Sequence, residues 1–385
     1  MTERNAYIVA AVRTPIGIGK PEKGALAPVA PVDLAAHVLK AAIKRAGIEA
    51  SLVEDVILGC VTPIGDQGAN IARLALLQAG FPYTIPGVQL NRMCGSGQQA
   101  VHFASQAILT GDMDLILAGG IEMMSHQPLG ADYPESWPTN FPYQLVHQGV
   151  SAEMMAERWH LTRDELDDYA FESHRRASAA IEAGRSAEEI APVEIPAENG
   201  SHWVEHDQGV RKDPDRAKMA ALKPVFKEDG VITAGNSSQI SDGAAALLVA
   251  SDEALERYSL KPMARIVARA VVGSDPVLML DGPIPVTRAV LAQAGMAIDE
   301  MEVLEINEAF ASVVLAWEKE FDADLERVNP DGGAIAHGHP LGATGAVLMT
   351  KLVYELAQRQ VRWGLQAMCI GHGMATATIL ERTAG

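Results

Sequence analysis

At 385 residues, 48% hydrophobic and 21% charged, the chain has the composition of a folded protein with a large core, spread over two or three domains. A formal net charge of −18 argues against a nucleic-acid binder, which needs a basic face, and requires any anionic ligand to be met by a local patch. Three cysteines, Cys60, Cys94 and Cys369, are too few and too scattered for a disulfide framework or a zinc site and point to a reducing, cytoplasmic setting.

Met1-Thr-Glu-Arg-Asn leads straight into an apolar run, Ala6 to Val12, predicted as a strand and too short for a signal or membrane segment; it stops at Arg13-Thr-Pro15. An alanine-rich helix is predicted from Val32 to Ala46. Cys60, in Leu58-Gly-Cys-Val-Thr-Pro63, reads as a core residue. Asn91-Arg-Met-Cys94-Gly-Ser-Gly97 is a glycine-rich turn opening a helix, with apolar residues at 100, 101, 104, 107 and 108 and a stop at Gly111. Unpaired N–H groups and the positive dipole end at a helix start favour a thiolate, so Cys94 is expected to titrate below the about 8.5 of a free cysteine. A lone cysteine is also an ordinary small core residue; the flanking glycines favour the nucleophile, because they let a substrate approach the backbone. A strand follows at Asp114 to Gly120, completing an α/β pattern.

The texture then changes. Pro, Trp and Tyr crowd residues 133 to 143, a charged helix is predicted from Ser151 to Gly184, and polar loops follow. Residues 211 to 227 gather positive charge around Phe226, which suits a polyphosphate and an adenine ring or, equally, a solvated face. The core resumes with the strand Ala244 to Ala250. Further on, Asn307 ends the strand Val303 to Ile306 and opens a helix predicted from Glu308 to Leu315; it is either a helix N-cap or an amide holding a water or substrate oxygen. His339, in Gly338-His-Pro340, is placed to take a proton near neutral pH, with His337 as competitor. It precedes a helix predicted from Leu341 to Gln358 and a strand at Gln366 that ends in Cys369, with Gly371 and Gly373 beyond. Turn, helix and strand thus recur around Cys94 and around His339, which predicts two α/β halves facing each other. The halves are placed at 1–123 with 241–262 and at 263–385, and residues 124–240 form an inserted loop or cap domain.

Together these motifs resemble the thiolase family along the whole chain. Arg13-Thr-Pro15, the Cys94 turn, Ala234-Gly-Asn-Ser-Ser238 with Ser241-Asp-Gly-Ala-Ala245, Gly282-Pro-Ile-Pro285, Asn307-Glu-Ala-Phe310, Gly338-His-Pro340 and Cys369-Ile-Gly371 carry the resemblance. The spacings of 32 residues from Asn307 to His339 and 30 from His339 to Cys369 are similar to the family's. The resemblance implies a layered α-β-α-β-α fold and thiolysis of a 3-ketoacyl-CoA, with CoA as co-substrate and no metal or resident cofactor. Cys94 would take the acyl group, His339 would activate it, and Cys369 would be the acid/base at the substrate's α-carbon. Asn307, through a water, and His339 would form one oxyanion hole, and the N–H groups of Cys94 and Gly371 the other. Ser238, Phe226, Arg211, His147, Gln148, Met279, Ala309 and Phe310 would meet CoA and the acyl group. His147-Gln-Gly149 stands where short-chain biosynthetic members carry His-Met-Gly, and the stretch from Gly120 to His147 is shorter than in tetrameric ones. Both departures imply a degradative homodimer, and the resemblance allows a hydratase/dehydrogenase partner subunit. A biosynthetic acetoacetyl-CoA thiolase is the near alternative; a non-catalytic acyl-CoA-binding subunit and a decarboxylating ketosynthase are the distant ones. His372, between Gly371 and Gly373, departs from the family's usual glycine.

Overall fold

The computed structural model describes residues 4–197 and 200–383; the first three residues of the amino-terminal reading lie outside it. In chain order the elements are β1 Ala6–Arg13, β2 Gly17–Ile18, α1 Pro31–Ala46, β3 Asp55–Gly59, α2 Ile71–Gln78, β4 Gly87–Leu90, α3 Ser96–Thr110 and β5 Leu115–Met123. The intervening segment carries α4 Gln148–Arg158, α5 Arg163–Glu182, the hairpin β6 Val193–Ala197 and β7 Gly200–Val204, and α6 Arg216–Ala220. The remainder is β8 Ser241–Ser251, α7 Asp252–Tyr258, β9 Ala264–Gly273, α8 Pro283–Ala294, β10 Val303–Ile306, α9 Ala311–Phe321, α10 Ala334–His337, α11 Leu341–Arg359, β11 Trp363–Ile370 and β12 Met374–Arg382.

The duplication expected from sequence is visible in the strand order. One half runs β4-β3-β5-β8-β1 and the other β10-β11-β12-β9. In each, a parallel pair (β3 with β5, β10 with β11) is followed by two antiparallel pairings, and each half sends its reactive turn into the helix before the central strand. The halves join edge to edge through only two residue pairs, Tyr7 with Arg265 and Ile8 with Ala264. Helices α1 and α2 cover the outer face of the first sheet and α8 that of the second, while α3 and α11 lie side by side between the sheets. The result is a layered α/β fold. Strands β5 and β8 are buried along their whole length, which is why Leu115–Met123 and Ser241–Ser251, apart from Glu122 and Asp242, carry apolar or small residues on both faces. Close approach of the central helices requires Gly345, where a Cβ would come within 2.3 Å of the Gln98 main-chain nitrogen.

Two predicted helices differ from the structure. The charged helix read from Ser151 to Gly184 is two helices, broken where His160 takes a left-handed φ of 52° and Thr162 caps α5. Thr162 and Glu165 form a reciprocal capping box, so the restart is written in the sequence as Thr-x-x-Glu. The helix expected to open at Asn307 begins only at Ala311, so Asn307 caps nothing. The intervening segment is tied to the core by Arg13, whose buried guanidinium meets Glu189 at 2.6 Å and Asp207 at 2.7 Å.

Candidate active site

Cys94 lies in the turn between β4 and α3. The turn is tight: Met93 adopts a left-handed φ of 46°, the Ser96 hydroxyl donates to the Met93 carbonyl at 2.6 Å, and the Arg92 N–H donates to the Ser96 oxygen at 2.8 Å. A β-carbon-bearing residue at positive φ next to a candidate nucleophile is the kind of strain a scaffold must hold in place. The sulfur is buried, and the Gly371 N–H, its own N–H and the Gln148 side chain lie near enough to favour its ionised form. Here the expected thiolate is corrected. Burial pushes the Cys94 thiol up to about 11, and those groups only partly offset it, with Glu122 adding repulsion. Alkylation of Cys94 by iodoacetamide, followed by mass spectrometry, should therefore accelerate steadily up to about pH 10 without levelling; a plateau below about pH 8 would mean a resting thiolate.

His339 follows α10 and is buried, its N–H held by the Gln239 carbonyl at 3.0 Å. Burial lowers its pKa to about 4, so the ring is neutral at pH 7. Its Nδ1 lies 2.7 Å from the Thr344 hydroxyl, and that hydroxyl donates its single proton to the Pro340 carbonyl at 2.8 Å. The network therefore assigns the ring proton to Nδ1, donating to Thr344, and leaves the lone pair on Nε2. Nε2 is buried with no partner among the described residues. A neutral imidazole with a free Nε2 is a ready proton acceptor. His337 is excluded from that role, since its Nδ1 lies 2.8 Å from Asp207 and its Nε2 3.0 Å from the Asp331 carbonyl.

Cys369, near the end of β11, is a second buried thiol. Burial raises its pKa strongly, and the proximity of Cys94 raises it further, so the two sulfurs share one site. Asn307 is fully buried; its N–H donates to the Ala367 carbonyl at 3.0 Å, and both polar atoms of its side chain are without partners among the described residues. Such orphaned atoms in a dense interior need an explanation, and a water or substrate oxygen supplies one. Its neighbour Glu308 accepts from Tyr169 at 2.8 Å, Ser173 at 2.7 Å and the Ile335 N–H at 3.0 Å, which fixes the loop after β10 against α5 and α10.

The residues expected to meet CoA form a strip from three segments. The Ser238 N–H donates to the Ala309 carbonyl at 3.0 Å, Phe310 meets Phe226 edge-on at 6.1 Å, and Phe226 stacks on His147 at 5.1 Å. Gly149 is needed beneath that stack, because a Cβ there would lie 2.3 Å from the Phe226 ring. Met279 packs in the same cluster as Ala309, Phe310 and Cys369. Arg211 stands apart: its N–H donates to His174 at 3.2 Å, and its side chain is exposed, without an ion pair among the described residues. Lys218 and Lys227 of the basic stretch pair with Asp215 and Glu157. Sequence reasoning missed Thr344, Glu308 and Glu122. Glu122, an acid inside the apolar run of β5, accepts from the Val61 N–H at 2.8 Å and the Gly342 N–H at 2.9 Å and so ties the segment after β3 to the His339 turn; a charge in such a run was the available signal.

The N-terminal domain of thiolase matches residues 6–253 and its C-terminal domain residues 260–382. A steroid 3-ketoacyl-CoA thiolase of Mycobacterium tuberculosis is 48% identical, the match covering 99% of this chain and 95% of that one. A 3-ketoacyl-CoA thiolase of Photorhabdus laumondii is 40% identical, over 98% and 99%. The crystal structure of the Bacillus anthracis acetyl-CoA acetyltransferase superposes with a TM-score of 0.92 at 38% identity, covering 99% of both chains.

Proposed function

The chain belongs to the thiolase family, and on that premise we propose that it cleaves 3-ketoacyl-CoA with free CoA, giving acetyl-CoA and a shortened acyl-CoA through an acyl group carried on Cys94. His339 Nε2 takes the Cys94 proton as the sulfur attacks the keto carbon. The alkoxide forms beside the N–H groups of Cys94 and Gly371, a reading supported by the nearness of the Gly371 N–H to the sulfur, which favours its ionised form. The bond between the α- and keto carbons then breaks, and the acetyl-CoA enolate, held by protonated His339 and a water on Asn307, takes the Cys369 proton. Incoming CoA gives its thiol proton to Cys369 and attacks the thioester; Cys94 leaves and recovers its proton from His339. Two oxyanions arise at different atoms, so two holes are required, each donor typically worth about 3 kcal/mol. CoA serves as co-substrate, and the cycle closes on side chains without a resident cofactor.

The observation that carries this reading is the second buried thiol beside Cys94. A non-catalytic acyl-CoA binder has no use for it. The names of the relatives, including two 3-ketoacyl-CoA thiolases, support the degradative direction over acetoacetyl-CoA synthesis. Mixing the protein with acetoacetyl-CoA and CoA should produce acetyl-CoA, measured by loss of the 3-ketoacyl absorbance; no loss at any protein concentration, with acetoacetyl-CoA or with longer 3-ketoacyl-CoA substrates, would defeat the reading. The three free thiols suit a reducing cytoplasm, and the partner that fits is a hydratase/dehydrogenase subunit supplying the 3-keto group. Among the described residues no helix is long and apolar enough to cross a membrane.

A homodimer is part of the same proposal. Strand β4 is an edge of the first sheet, and around it Leu74, Leu77, Val88 and Phe103 are exposed, with Tyr83 at 80%. An uncovered edge beside an apolar patch favours self-association through an isologous interface. Light scattering should give twice the 41.0 kDa chain mass, and Val88→Lys should shift it toward the monomer. A mass of one chain or of four would count against it.

A further inference from the structure

The segment 129–146 contains no helix or strand, yet it carries a cluster of large rings at the surface. Tyr133 and Trp137 lie 6.4 Å apart and meet the His372 ring at 5.8 and 5.9 Å, and Trp137, 44% exposed, also packs on Phe141. Behind this panel is a cavity of about 480 Å³, whose walls include Tyr133, Trp137, Leu145, Met279 and His372. Its walls also include Gly371 and Gln148, two residues whose N–H groups favour the ionised Cys94 sulfur. No carboxylate, lysine or arginine lines it.

Pockets that bury a drug-sized molecule run from about 300 to 1,000 Å³, so this cavity holds far more than an acetyl or acetoacetyl group. A large apolar panel kept partly exposed also marks a binding surface. We propose that this cavity is the acyl-tail subsite and that its substrate class is a 3-ketoacyl-CoA ending in a bulky, rigid, fused-ring group; the proposal rests on the thiolase reading above. Continuity with the nucleophile places the tail here, on the Gly371 side, while the Ser238, Phe226 and Phe310 strip takes the other arm of the substrate. Faces and edges of Tyr, Trp and His rings give flat walls to an alicyclic or aromatic ring system. A fused ring fills such a space with few torsions to freeze, whereas a straight chain of equal carbon number loses conformational entropy at each bond it must order. The absence of charge in the lining disfavours a tail that ends in an ionised group.

The test compares three substrates with free CoA: acetoacetyl-CoA, 3-ketopentadecanoyl-CoA and the carbon-matched 3-keto-5-(decalin-1-yl)pentanoyl-CoA. The decalinyl compound should exceed the straight chain by about tenfold in kcat/KM. Trp137→Ala should lower kcat/KM for the decalinyl compound about tenfold more than for acetoacetyl-CoA, and Trp137→Phe should recover most of that difference. A straight chain that is as good or better, or a Trp137→Ala that reduces both substrates by one factor, overturns the subsite. If acetoacetyl-CoA is cleaved and the decalinyl compound is not, the inference fails alone; if none is cleaved, the thiolase reading fails with it.

Discussion

Cys94→Ser is expected to abolish turnover and to leave no acyl-enzyme, whereas Cys369→Ser should still accept an acyl group on Cys94 and fail only at the carbon–carbon bond. The difference follows from the order of bond changes. Acyl transfer from a simple acyl-CoA needs a nucleophile and a base but no proton at carbon, so it requires Cys94 and His339 alone. Cleavage of a 3-ketoacyl-CoA also expels a carbanion equivalent, which needs the Cys369 proton. The Cys369 thiol, raised by burial and by the nearby Cys94, keeps that proton until the enolate develops. A serine hydroxyl at position 94 is a much weaker nucleophile for a neutral imidazole to activate, and loss of a nucleophile commonly costs 10^4-fold or more, about 5 kcal/mol or beyond in the barrier. Intact-mass spectrometry after mixing each variant with acyl-CoA reads the first half-reaction, and 3-ketoacyl absorbance reads the whole. An acylated Cys94→Ser protein, or a Cys369→Ser protein that cleaves at the wild-type rate, would reverse the two assignments.

Much of this architecture was legible because the core strands are written as apolar runs: Ala244 to Ala250 lies within β8, and Val303 to Ile306 is β10 residue for residue. The recurrence of turn, helix and strand around Cys94 and His339 likewise carried through to the matched strand orders of the halves. What sequence could not supply was the balance of energies at the sulfur. A glycine-rich turn before a helix suggests a dipole acting on Cys94, but whether that dipole outweighs desolvation depends on how deeply neighbouring segments bury it, and here Gly371 comes from some 280 residues away. Asn307 shows the same limit. Its residue type fits a cap, and only the delayed start of α9 at Ala311 and the unpartnered side chain set it apart. Thr344 was invisible for a different reason. A threonine in the first turn of a helix is ordinary until a histidine ring is seen to lean on it.

His339→Ala is expected to lower kcat by about 10^4-fold, because it removes the proton acceptor for Cys94 and a donor to the enolate together; each role alone is worth roughly 10^2 to 10^3, and losses within one unit are not additive. The more discriminating change is Thr344→Val, which keeps the side-chain shape and deletes the hydroxyl. The Pro340 carbonyl remains satisfied by the Ala343 and Thr344 N–H groups, both at 2.9 Å, so the start of α11 loses little. What changes is the proton on the ring. Without an acceptor at Nδ1, the tautomer with its proton on Nε2 becomes competitive, and in that form the nitrogen facing the substrate cannot take a proton from Cys94. A neutral hydroxyl orients more weakly than a buried carboxylate does in a serine-protease triad, so the expected loss is about 10- to 100-fold in kcat with KM nearly unchanged. Thr344→Ser should restore most of it. The pH profile supplies the sign: with a pKa near 4 the ring is neutral through the physiological range, so activity that depends on its lone pair should hold as pH falls toward 5 and disappear through about 4. An acidic limb near the ordinary histidine value of about 6.5 would show a solvated ring, and a Thr344→Val enzyme as active as wild type would show that Thr344 does not set the tautomer.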